Sequence, residues 1–151
     1  LKNTINKEIM DWKNKLRNAG FRITDAREQM MNLLINTPIA LTPMQIHKEL
    51  TEQGSQMGLV SVYRNLIVLQ ENELICMVFA PDGSAAYTAG GTGHHHHVLC
   101  RRCLNSASFE GCEGFADLIQ EIEAKTQFKV QGHLLQFFGL CSECQKNESH
   151  V

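Results

Sequence analysis

No stretch of this 151-residue chain approaches the roughly 18 consecutive apolar residues of a membrane span, and its N-terminus carries no uninterrupted apolar signal region. A membrane-spanning protein is therefore not expected, and with no export signal a reduced cytosolic setting is. Charge imbalance is lacking too. Fourteen Lys/Arg against sixteen Asp/Glu leave a net −2, which by itself argues weakly against nucleic acid as a partner. The chain contains no His-Glu-x-x-His helix, and its one His-x-Glu, His47-Lys-Glu49, is not followed by the Pro-Cys-x-x-Cys of zinc deaminases, so no enzyme is expected. There is no internal repeat. The only biased segment is a run of four histidines, His94–His97.

What is present is concentrated around that run. Two Cys-x-x-Cys pairs, Cys100/Cys103 and Cys141/Cys144, can close a tetrahedral zinc shell, because two intervening residues let both sulfurs of a pair point at one ion. A closed four-sulfur shell leaves no open coordination position, so such a zinc is structural. It would join the start of a C-terminal domain to its end. Disulfides are the competing use of these cysteines, but a disulfide scaffold seldom places them as paired knuckles. The histidine run ends three residues before Cys100, on or beside a strand. Strand alternation would turn His95 and His97 one way and His94 and His96 the other, giving donors for two further sites. Without metal the same run is a solvated polar loop.

The first half reads as helices. Ile5, Ile9, Trp12 and Leu16 recur at helical spacing; Thr24 can cap a second helix with Ala26, Met30, Leu33 and Leu34 inward; Thr42-Pro43-Met44-Gln45 is a capping box with proline at the first turn. Ser61 is expected to open a further helix carrying Val62, Leu66 and Leu69. Two extended runs, Leu74–Ala80 and Ala85–Thr88, flank the turn Pro81-Asp-Gly-Ser84. Three helices followed by a hairpin make a winged helix-turn-helix, whose last helix would present Ser61, Tyr63 and Arg64 to base edges and phosphates. A hinge, Ala89-Gly-Gly-Thr-Gly93, then precedes a strand into Cys100, a strand near Ser106–Glu110, a helix from Gly114 to Thr126 with Phe115, Leu118, Ile119 and Ile122 as its apolar face, and a strand over Lys129–Leu140. The expected fold is α+β: a winged helix over residues 1–88, a hinge at 89–93 and an α/β metal-binding domain over 94–151. Residues 1–75 carry a net +1 and residues 76–151 a net −3 with most of the histidines, so the second half suits cations. Cys76 and Cys112 lie outside the knuckles and His133 on an apolar strand; for each, a buried core side chain is the ordinary alternative to a ligand.

Phe21-Arg-Ile-Thr24 with Arg27, Val60-Ser-Val-Tyr-Arg64, the histidine run before Cys-x-x-Cys, and Gly139-Leu-Cys-Ser-Glu-Cys144 together resemble the ferric uptake regulator family over nearly the whole chain. The resemblance implies a homodimeric repressor of operator DNA, with a C-terminal dimerisation domain. It implies a structural zinc on the four knuckle cysteines and DNA contacts by Arg22, Arg27, Ser61, Tyr63 and Arg64. Iron- and peroxide-sensing members usually fill their hinge site with an N-terminal histidine and a carboxylate; the matching positions hold Ala40 and Thr88. Cys76 falls instead where zinc-sensing relatives place an Asp ligand. The resemblance thus points to the zinc-sensing branch, with Cys76, His95 and His97 at the hinge site and no fourth ligand named. For the family's other sensory site His94, His96 and His133 match. Its acid falls at Ala116, leaving Cys112, Glu113 or Asp117 to replace it, with Cys112 preferred. Expected cofactors are therefore structural and regulatory zinc, and expected targets are metal-uptake genes. An iron or peroxide sensor is the nearest alternative; a zinc-storage protein or enzyme without DNA binding is the more distant one.

Overall fold

The computed structural model describes residues 2–90, 95–110 and 115–146, and of residues 2–5, 95 and 110 only the backbone. Four helices come first: α1 (Lys2–Asn18), α2 (Asp25–Asn36), α3 (Pro43–Glu52) and α4 (Leu59–Glu71). Thr24 Oγ1 caps α2 by accepting from the Arg27 amide, and α3 opens on the expected capping box. There Thr42 Oγ1 accepts from the Gln45 amide, while Gln45 Oε1 accepts from the Thr42 amide at 2.8 Å. The helices meet over Trp12, Leu16, Met30, Leu34, Ile46 and Leu66, all buried. Ser61 does not open α4. The helix begins at Leu59 behind Gly58, which has no side chain to cap it, and the Gly58 carbonyl receives the Ser61 and Val62 amides.

Strands β1 (Ile75–Phe79) and β2 (Ala85–Ala89) form an antiparallel hairpin, here called the wing, with Cys76 opposite Thr88 and Val78 opposite Ala86. Alternation gives the wing two faces. Ile75, Tyr87 and Ala89 belong to the helical core. Cys76, Val78, Ala86 and Thr88 face away from it.

The C-terminal part is a three-stranded sheet of order β4-β3-β5, made from β3 (His95–Cys100), β4 (Ser106–Glu110) and β5 (Gln136–Gly139), with helices α5 (Phe115–Thr126) and α6 (Ser142–Lys146). β3 pairs antiparallel with β4 and parallel with β5. The last strand is much shorter than the expected Lys129–Leu140. Only Gln136–Gly139 finds a partner in β3, and upstream the Val130 amide turns back to Glu123 Oε1 of α5. His133 therefore lies outside any strand. The apolar face of α5 is uncovered: no residue of this helix is buried, and Leu118 and Ile122 are exposed.

A second, smaller core joins the wing to this sheet. Val78 and Ala86 pack with Ala40 and with Leu99 of β3. Around it the Ala40 amide donates to the Leu104 carbonyl, the Ser106 amide to the Pro38 carbonyl, and Thr88 Oγ1 lies 3.1 Å from Ser106 Oγ. No helix among the described residues is long and apolar enough to cross a membrane.

Candidate metal centres and nucleic-acid interface

The four knuckle cysteines converge. Cys100 ends β3, Cys103 follows in the turn, Cys141 follows β5 and Cys144 lies in α6, and their sulfurs all lie within 4.8 Å of one another. All are free thiols. Cys103 Sγ and Cys141 Sγ are 3.6 Å apart, close to the ~3.8 Å edge of a tetrahedron whose zinc–sulfur bonds are ~2.3 Å. The Cys141 amide donates to Cys100 Sγ at 3.4 Å and, with the Cys103 and Arg102 amides, holds that thiol down at about 6. Cys144 is pushed up to about 12, first by burial and then by the neighbouring sulfurs. Four sulfurs at this spacing cannot all ionise alone, whereas a dication stabilises all four as thiolates. The donor set therefore fits zinc, which Cys100, Cys103, Cys141 and Cys144 could hold. The short helix α6, which delivers Cys144, has no counterpart in the sequence reading.

His96 and His97 take opposite faces of the sheet. His96 points to one face with Phe109, its register partner on β4. There its ring centroid lies 5.2 Å from that of His133 and 6.1 Å from that of Phe115, and Phe115 stacks on His133 at 5.3 Å. Two of the proposed donors of the second sensory site are thus brought together; the other two, His94 and Cys112, lie outside the described residues. Ala116 and Asp117 are both exposed on α5.

His97 is buried on the opposite face, the one that meets the wing. It lines a cleft of about 190 Å³ between the two parts of the chain, together with Thr88, Ala89, Pro38, Ser106 and Ser108. Among the described residues that line this cleft there is no carboxylate. Cys76 lies on the wing face turned toward it, the face carried onto the sheet by Val78, Ala86 and Thr88. Its thiol donates to the Gly90 carbonyl at 3.3 Å, and burial raises its pKa. The side chain of His95 is outside the described set.

On α4 the burial pattern separates two sides. Val62, Leu66 and Leu69 are buried, whereas Val60, Ser61, Tyr63, Arg64 and Ile67 are exposed. Tyr63 and Arg64 are thus free to meet a partner in the helix's first turns. Arg22 is exposed as well. Arg27 is engaged within the protein: its Nε donates to Asn65 Oδ1 at 2.7 Å, it donates to the Arg22 carbonyl at 2.5 Å, and its guanidinium lies 5.6 Å over the Phe21 ring.

The family model described as the ferric uptake regulator family matches residues 18–138. The chain belongs to this family. It is 31% identical to the peroxide operon regulator of Bacillus subtilis, over 95% of this chain and 97% of that protein. It is 29% identical to the ferric uptake regulation protein of Campylobacter jejuni, over 93% and 90%. In fold, this ferric uptake regulator family chain is similar to a zinc uptake regulator complexed with zinc and DNA, with a TM-score of 0.78 at 21% identity over 97% and 98% of the two chains. The Helicobacter pylori ferric uptake regulator matches at 0.61 and 23%, over 93% of each. Members are metal-responsive transcription regulators rather than enzymes. The family match ends before Cys141, so the second half of the knuckle rests on the geometry described above.

Proposed function

We propose that this chain is a zinc-responsive, DNA-binding transcriptional repressor that acts in the cytoplasm on metal-uptake genes. The observation that carries the choice of zinc is the placement of Cys76 and His97 on facing surfaces of the wing and the sheet, with no carboxylate among the described residues that line the cleft. Thiolate and imidazole donors suit zinc, whereas iron(II) and manganese favour carboxylates. Cys76, His95 and His97 would hold the regulatory ion, and His94, His96, Cys112 and His133 a second one. Bound zinc supplies a cationic cross-link. The chain's own part is to carry one thiol on the wing and the imidazoles on the sheet, so that occupancy favours a single arrangement of residues 1–88 against residues 94–151 across the hinge at 89–93. Operator and metal then strengthen each other's binding by the same factor.

The partners follow from two surfaces. The α4 face with Ser61, Tyr63 and Arg64 suits a major groove, assisted by Arg22. The uncovered Leu118 and Ile122 of α5 suit a second copy of this chain, since an amphipathic helix with no buried residue has an unmet apolar face. The two similar proteins named above for peroxide and iron favour an iron- or peroxide-sensing reading, against which the donor set stands. Operator mobility shifts with zinc, iron(II) and manganese(II), each buffered by chelator, separate the readings. Zinc should act at the lowest free concentration; a response to iron or manganese alone would reject the zinc assignment.

A further inference from the structure

Three polar residues stand in one row across the sheet: Ser108 of β4, His97 of β3 and Gln136 of β5 are successive register partners. Register partners point to the same face, here the one that meets the wing. At the β5 end of that row, Gln136 reaches the wing directly. Its Oε1 accepts from the Phe79 amide at 2.9 Å, and its Nε2 donates to the Phe79 carbonyl at 2.6 Å. The side-chain amide thus stands in for the peptide unit of an absent strand. It satisfies the outward-pointing amide and carbonyl of Phe79 on an edge strand.

Among the described residues the wing also meets the sheet at the small core around Leu99 and at the Thr88–Ser106 hydroxyl pair. Among these, the Gln136 pair is the one that needs both a donor and an acceptor on a single side chain. It also grips β1 three residues from Cys76.

We propose that Gln136 is a positioning residue, a latch that holds the wing strand β1 against the metal-binding sheet. It thereby pre-orders Cys76 opposite His97 before metal arrives. Ordering done in advance is not charged to metal or operator binding, so the latch raises affinity for both without touching either. The link to metal rests on the hinge-site reading above; the latch itself does not.

The test uses the full-length dimer and two variants. Gln136→Ala removes both bonds. Gln136→Glu keeps the shape and the acceptor but places a carboxylate against the Phe79 carbonyl, so a folding defect from lost volume is avoided. Spin labels introduced through unnatural amino acids at the exposed positions Lys48 of α3 and Lys125 of α5, diluted with unlabelled subunits, report the distance between the two parts of one chain. Chelator competition reports the exchangeable zinc. Both variants should keep the knuckle zinc, broaden the distance distribution and bind exchangeable zinc about three- to tenfold more weakly, as expected for losing one or two net hydrogen bonds. Distributions identical to the parent in both variants would overturn the latch, whatever the zinc does. Broadened distributions with unchanged zinc affinity would support the latch and tell instead against Cys76 as a hinge ligand.

Discussion

Arg27 of α2 is tied to Asn65 of α4 by a 2.7 Å hydrogen bond from its Nε, so the guanidinium that the family motif suggests for DNA is spent on holding the helix that carries Tyr63 and Arg64. The two arginines should therefore fail differently. Arg64→Ala should weaken operator binding and flatten the dependence of log affinity on log salt by about one unit, as expected when one phosphate contact is lost. Arg27→Ala should also weaken binding, through a misplaced α4, but leave the salt slope unchanged. A slope lowered equally by both changes would return Arg27 to the phosphate-contacting group.

Removing one thiolate from the four-sulfur cluster should undo more than a binding site. Cys103→Ser leaves three sulfurs that lie within 4.8 Å of one another and deprives the end of β3 of its tie to α6. Zinc binding in such sites is itself folding free energy. The variant should lose one tightly held zinc per subunit, melt at a lower temperature and dissociate to monomers in analytical ultracentrifugation. An unchanged zinc content and a stable dimer would show that the cluster is not a metal site.

The apolar side of α5 gives a separate handle on assembly. Leu118→Glu places a charge on an exposed position, so it should leave the monomer fold and the knuckle zinc intact. If that face meets a second copy, the same charge is buried in the dimer, and the protein should sediment as a monomer at micromolar concentration. A dimer as strong as the parent would place the interface elsewhere.

Much of the architecture was legible because it rests on local chemistry. Thr24 and Thr42 cap the helices they were expected to cap, and the Pro81–Ser84 turn sits between two strands of nearly the expected extent. The knuckles were legible because Cys-x-x-Cys spacing constrains geometry by itself. The misses share a cause. Ser61 reads as the opening of a helix although the chain turns two residues earlier, behind Gly58, and Lys129–Leu140 reads as a strand although a strand exists only where another edge pairs with it. The apolar period of α5 marks a face to be covered, but periodicity does not say whether the covering surface lies in the same chain. Gln136 carried no signal at all, since its partner is the backbone of Phe79, 57 residues earlier.

DNA recognition by Tyr63 should be separable from that by Arg64. Tyr63 is about half exposed on the same side of α4. Tyr63→Phe removes only the hydroxyl, so if that group reads a base edge, the variant should bind its preferred operator about 5- to 150-fold more weakly and mismatched duplexes almost as before. An equal loss on all duplexes would assign the hydroxyl to the phosphate backbone.

The central claim, that a thiol on the wing and imidazoles on the sheet form a zinc-sensing site, is tested most directly by titrating operator binding against free zinc for Cys76→Ala. As a buried side chain alone, Cys76 would leave a small cavity costing about 1 kcal/mol, and zinc-dependent operator binding would survive. As a hinge ligand its loss should abolish that dependence and remove one exchangeable zinc per subunit, while the dimer and the knuckle zinc persist. A Cys76→Ala protein that still binds operator at the parent's free zinc concentration would contradict the account.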